Sequence, residues 1–242
     1  MNPLTGASQP GNTKDRIMLR KPATLAAPMI FVAAMAFAHG DTAPRAVDTT
    51  GLPDLPEEMA TENPWRGAEG DLLFKAVEIG GKGFNSNCAR CHGLEAISGG
   101  LAPDLRYLEA NEFGDEWYLD RVLHGYEQNG AVKMPPFQDI LSQEAVWAIR
   151  TYIETRPDAD EMAERNSDIT ALRDRVKALP ATASAEEVEA VAADLDKTGD
   201  EFETLSGAPR SVSALQQAAH LLRTGASHAP MATELISGLL RN

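Results

Sequence analysis

The run Cys88-Ala89-Arg90-Cys91-His92 holds the residues of this chain best placed to do chemistry. Side chains three apart on a helical turn face the same way, so the two sulfurs can form thioethers with the two vinyl groups on one edge of a haem. The imidazole that follows then lies under the iron. Three other chemistries use the same residues. A thioredoxin-like dithiol needs a preceding strand and a βαβ context, and the flanking sequence offers neither. A structural zinc site needs two further ligands, yet these are the only two cysteines, and His39, His124, His220 and His228 form no close pair. A plain disulfide between Cys88 and Cys91 leaves His92 without a role. Covalent attachment of one haem, as haem c, accounts for all three residues.

A second iron ligand is sought downstream. Met134 lies in Lys133-Met134-Pro135-Pro136-Phe137, where the two prolines hold a loop that cannot coil into a helix. A loop of that kind can hold a thioether rigidly against iron. A single Met also serves as a gap-filler in cores, and His124 is the competing ligand. Met59 precedes the motif region, while Met162 and Met231 lie far beyond it. The expected metal ligands are therefore His92 and Met134.

Helical periodicity supplies the elements that must position these groups. Leu72, Leu73, Ala76 and Val77 predict a helix that Gly80, Gly81 and Gly83 would stop before the motif. A second helix is expected near Asp115 to Leu123. A third should start at Ser142 as N-cap and run through Val146, Ile149 and Ile153 until Pro157 ends it. Alternating runs long enough for a sheet are missing, so residues 64–157 read as an all-α domain with long loops. Residues 39–63, rich in Pro, Gly, Thr and acids, read as an extended arm. Residues 158–242 are rich in Ala and Glu, with Ile169, Leu172, Val176, Val188, Val191 and Leu195 at helical spacing. They predict an acidic extension of three or four short amphipathic helices. Its single aromatic, Phe202, implies a thin core, compatible with a folded module and with a partly ordered appendage.

Residues 1–38 read as a signal peptide. Lys14, Arg16, Arg20 and Lys21 form a basic run, Leu25 to Phe37 is apolar, and Ala36-Phe37-Ala38 offers a cleavage site before His39. The apolar stretch is short for a membrane span, and Pro28 interrupts it. The expectation is a periplasmic protein with no stable membrane insertion after cleavage. Of 22 basic and 36 acidic residues, 4 and 1 lie in the leader, which leaves 18 against 35 and a net charge of −17. Such a chain is unsuited to nucleic acid and suited to basic docking patches.

The run Phe84-Asn85-Ser86-Asn87-Cys88-Ala89-Arg90-Cys91-His92-Gly93, the segment Gly100-Leu101-Ala102-Pro103-Asp104-Leu105 and Met134-Pro135-Pro136-Phe137 resemble class I cytochromes c. Within that class they are most similar to the periplasmic cytochromes that accept electrons from pyrroloquinoline-quinone (PQQ) alcohol dehydrogenases. The resemblance covers roughly residues 39–156 and leaves 158–242 without a counterpart. It implies a class I cytochrome c domain with an additional C-terminal helical extension, and an electron carrier rather than an enzyme. The implied donor is a quinoprotein alcohol dehydrogenase, and the implied acceptor a terminal oxidase or another cytochrome. Pro103 would join the cofactor-binding set of Cys88, Cys91, His92 and Met134, its carbonyl accepting a hydrogen bond from the non-ligating nitrogen of His92. Gly70 and Phe74 match the first-helix pattern, with Tyr152 or Trp147 as the aromatic of the last helix. Arg106 is a candidate partner for a haem propionate. Docking is expected around Arg90, Lys133 and Phe137. The competing reading is a haem-based sensor or haem enzyme whose sixth position is open or displaceable.

Overall fold

The cysteine motif sits at the end of a long helix, and the elements around it follow from where caps and breakers fall. The computed structural model describes residues 43–240, which belong to one compact unit. The expected leader, its cleavage site and His39 lie outside the described residues. In chain order the helices are α1 (Gly70–Asn87), α2 (Ala89–His92), α3 (Glu112–His124), α4 (Gln143–Glu154), α5 (Ala159–Glu164), α6 (Asn166–Ala178), α7 (Ala185–Gly199), α8 (Ala214–Arg223) and α9 (Ala229–Ser237). Between α3 and α4 stands an antiparallel hairpin of β1 (Tyr126–Gln128) and β2 (Ala131–Met134). Among the described residues the regular structure is helical apart from that hairpin, which the sequence pattern does not announce. Among the described residues no helix is long and apolar enough to cross a membrane.

α1 runs straight through Gly80, Gly81 and Gly83, where the periodicity predicts a stop. Glycine inside a helix costs about 1 kcal/mol relative to alanine. Close packing offsets that cost here: a Cβ at Gly80 would lie 1.9 Å from the Ala148 carbonyl oxygen, and one at Gly83 2.9 Å from Ile149. The glycines let α1 cross α4 with the backbones in contact. The close approach is thus at Gly80 and not at Gly70, around whose Cβ position there is open space. The aromatic pair of the crossing is Phe84 with Tyr152, ring centroids 5.3 Å apart, while Phe74 stacks on His220 at 4.4 Å.

Side-chain caps set several of the helix starts, though not that of α1. Asn111 accepts from the Gly114 N–H at 3.0 Å and Ser142 from that of Ala145 at 3.3 Å. Ser184 and Ser213 form reciprocal capping boxes with Glu187 and Gln216. Each such cap is worth about 1 kcal/mol. The described part of the arm, up to residue 63, is almost free of regular structure and is tied down by side chains: Leu55 N–H donates to Glu144 and Ala60 N–H to Gln143. Just beyond it, Arg66 bonds Asp115 at 2.7 Å and Glu154 at 3.0 Å, and Arg150 bonds Asp115 at 2.8 Å. Asn63, the last residue of the arm, also donates to Asp115 and Glu154, so this charge cluster joins the arm, α3 and α4.

Two hydrophobic cores result. The first gathers Trp65, Phe84, Tyr118, Phe137, Trp147 and Tyr152, with Cys88 and Met134 packed against it. The second joins α5 to α9 around Leu195, Leu215, Leu222 and Ile236. The extension is thus a packed module of five helices, where three or four are predicted. It also meets the first core directly. Val212 is buried within that core and donates its N–H to Thr155 O at 2.9 Å, and Ser206 Oγ donates to Glu154 O at 2.6 Å.

Candidate haem site

The motif takes its shape from the end of α1. Cys88 N–H donates to Phe84 O at 2.7 Å, and His92 N–H donates to Cys88 O at 3.0 Å, so helical backbone carries on through the motif as α2. Cys88 and Cys91 therefore share one side of a turn. Gly93, at φ +80, then reverses the chain so tightly that a Cβ there would lie 1.9 Å from Ile97 O. Glu95 and Ala96 follow in the left-handed region at φ 55 and 59, which costs a non-glycine residue roughly 1–2 kcal/mol each. Arg156 holds this turn, its guanidinium donating to Glu95 Oε2 at 2.8 Å. Neither Arg156 nor Gly93 is marked as a site residue by the sequence. A glycine directly after the histidine is the one signal that could have been read.

From that turn the chain returns under the histidine. The buried His92 ring places Nδ1 2.9 Å from Pro103 O. A carbonyl only accepts, so Nδ1 carries the proton and Nε2 keeps its lone pair free for a metal. The return loop is stiffened by the Ser98 hydroxyl, which donates to Ala102 O and accepts from Gly100 N–H. Asp104 then pairs with Arg106 through bonds of 3.0 and 2.8 Å. Arg106 is thus engaged within its own loop.

Met134 lies at the end of β2, partly buried against the core that holds Cys88. Two contacts pin its segment to the end of α3. A Cβ at Gly125 would lie 2.5 Å from Met134 O, and Phe137 N–H donates to Val122 O at 2.9 Å. Phe137 is buried, which corrects its expected place on a docking edge. His124 is exposed and meets Asp120 at 3.3 Å. Met162 lies in the second core and Met231 is exposed.

Burial, and then the neighbouring Cys91, pushes the Cys88 thiol up to about 12. A redox-active dithiol needs the opposite, a thiolate at neutral pH. Among the described residues no group of three or more His, Cys, Asp or Glu side chains is arranged to hold a metal ion by itself. The surroundings fit a haem instead. The indole N–H groups of Trp65 and Trp147 are buried without a partner in the core that carries Cys88 and Met134. Leu94, Leu101 and Val132 lie exposed on the segments flanking His92, Pro103 and Met134. A flat apolar macrocycle would cover such side chains.

Comparison with known proteins agrees. Residues 75–153 match the family described as cytochrome C oxidase, cbb3-type, subunit III. Cytochrome c550 of Pseudomonas aeruginosa is 54% identical over 126 residues, which are 51% of this chain and 85% of that protein. The chain is a c-type cytochrome. As a c-type cytochrome it carries covalently bound haem c and resembles c550 as an electron carrier. Parts of two larger Pseudomonas putida proteins are also similar. The cytochrome is 32% identical over 104 residues to quinohemoprotein alcohol dehydrogenase ADH-IIG and 35% over 91 residues to ADH IIB. Those stretches are 43% and 38% of the cytochrome but only 12% and 13% of the dehydrogenases. No solved structure gives a significant match.

Proposed function

We propose that this chain is a periplasmic carrier of single electrons whose haem is bonded to Cys88 and Cys91 and ligated by His92 and Met134. Its electrons come from a quinoprotein alcohol dehydrogenase and leave toward a terminal oxidase or another cytochrome. The observation that carries the ligand set is the bond between His92 and Pro103 O, which leaves Nε2 as the ring's donor atom. The haem, when bound, supplies a one-electron couple. The protein's own groups do the rest. Pro103 fixes the tautomer and orientation of the His92 ring. Backbone contacts that hold the Met134 segment against the end of α3 support a ligand that moves little when the charge changes. A thioether also favours reduced iron and keeps the potential high. The exposure of His124 and its contact with Asp120 support Met134 over that histidine. The donor assignment draws support from the likeness to c550 and to parts of two alcohol dehydrogenases. The leader's composition supports the periplasm.

Met134→Ala tests the ligand set. The variant should lose the low-spin methionine-ligated spectrum, bind added imidazole, and drop in potential by on the order of 100 mV, within the roughly 0.8 V that axial ligands span. An unchanged spectrum and potential would assign the sixth position to another residue.

A further inference from the structure

Helix α3 carries apolar side chains on two faces, and only one face is covered. Tyr118 and Val122 are buried in the core, whereas Phe113 and Trp117 remain 69% and 40% exposed. Phe113, Trp117 and Arg121 stand four residues apart and so form one stripe along the helix. The stripe continues beyond it: the Arg121 guanidinium lies 5.6 Å from the Trp117 ring centroid and 4.9 Å from that of Tyr126, itself 41% exposed. Tyr126 stands opposite Met134 in the hairpin register. Exposed carboxylates flank the stripe at Glu112, Glu116 and Glu127, while Asp120 pairs with Arg121 at 3.0 Å and meets His124 at 3.3 Å; Lys133 is the other basic group nearby.

Tryptophan, tyrosine and arginine dominate binding energy at protein interfaces, and a stacked arginine between two rings is already ordered before a partner arrives. The acidic rim selects the partner's charge. It fits a protein surface with an apolar centre and a Lys/Arg border, and the net charge of the chain draws such a surface in from a distance. We propose that the face formed by Phe113, Trp117, Arg121 and Tyr126 is where the electron-donating dehydrogenase docks. The inference rests on the donor proposed above. Docking there sets the partner beside the strand that ends in Met134.

Stopped-flow reduction of the oxidised holoprotein by a purified quinoprotein alcohol dehydrogenase at low salt tests it, with ascorbate as a small reductant that needs no docking. Trp117→Ala should lower the second-order rate with the dehydrogenase roughly tenfold or more. Glu116→Lys should lower it too and flatten its salt dependence. Ascorbate rates and haem spectra should match wild type in both. If both variants keep the wild-type rate with the dehydrogenase, the docking face is overturned while the donor stands. If the dehydrogenase does not reduce the wild-type protein at all, the donor reading fails and takes the assigned occupant of this face with it.

Discussion

The two halves of the described chain solve the problem of a core in opposite ways. The haem half fills its core with large rings, Trp65, Phe84, Tyr118, Phe137, Trp147 and Tyr152, and links them by irregular loops with three left-handed non-glycine residues, Glu95, Ala96 and Asn129. The C-terminal half has one buried ring, Phe202, and otherwise packs Ala, Val, Leu, Ile and the single Met162 from the faces of α5 to α9. Ala192, Ala218, Ala219 and Ala232 are fully buried there, so helices approach closely and complete their own core. The first core instead keeps unpartnered indole N–H groups and exposed leucines beside its motif.

The halves are nevertheless joined by more than a linker, and the largest effect should come from separating them. A chain ending at Arg156 keeps the motif, α1, α4 and Met134, so it should still attach haem. It loses Val212 from the first core, worth about 2 kcal/mol, and the seam bonds to Thr155 O and Glu154 O, worth about 1 kcal/mol each. Its melting temperature should fall by roughly 15 °C or more. A truncated holoprotein that melts with the full chain would make the C-terminal half a mere appendage.

Arg156→Ala breaks the seam at one residue. That guanidinium is buried and donates to Tyr152 O at 2.9 Å, Val212 O at 2.5 Å and Glu95 at 2.8 Å. Removing it strips partners from buried carbonyls and leaves a cavity, at a cost of about 3 kcal/mol. Because Glu95 sits in the turn after His92, a spectral change in the haem should accompany the loss of stability. Destabilisation with an unaltered haem spectrum would confine Arg156 to a packing role.

The sequence carries the motif and its chemistry openly, because covalent attachment demands fixed residue types at fixed spacing. The capped helix start at Ser142 is an equally local event. What stayed hidden depends on distant partners. Gly80 breaks helices on intrinsic propensity and is retained because Ala148, far along the chain, comes up against it. The hairpin before Met134 has no alternating pattern, since all but one of its strand residues are exposed and nothing selects a face. The order of the C-terminal half was unreadable because small buried alanines look the same in a core and in a loose helix.

Within the haem half, the Asp104–Arg106 pair gives a pH-dependent test of how far the histidine loop is held by charge. Burial pushes the Asp104 carboxyl up, but hydrogen bonds from Arg106 and from the Ser98 N–H outweigh it and hold the group below its ordinary value. A lowered folded value means stabilisation that is fully present above the ordinary carboxylate value, about 3.9, and lost as pH falls through the folded one. Asp104→Asn should therefore cost about 1 kcal/mol near neutral pH. Thermal melts from pH 7 downward should show the two proteins converging in acid. A gap that persists at the acid end would mean the side chain acts by shape and not by charge.

The smallest effect is expected in the C-terminal half, where Arg223 makes as many charged contacts as any residue in the chain needs to look important. It donates twice to Glu189 at 2.8 Å and once to Asp196 at 2.6 Å, matching the three bonds of Arg156 in number. Those carboxylates raise its already high pKa, the Glu189 hydrogen bonds most of all. The difference is water: the Arg223 side chain is 36% exposed and that of Arg156 only 2%. Exposed ion pairs are screened and must immobilise long side chains, so Arg223→Ala should cost about 0.5 kcal/mol, several-fold less than Arg156→Ala. Raising salt from low to about 0.5 M should shrink the Arg223 difference and leave the Arg156 difference in place, because screening reaches only the exposed pair. Parallel melts of both variants across that salt series decide the matter. Equal losses that ignore salt would show the C-terminal helices to be held by their surface charges as firmly as the seam is held by its buried one.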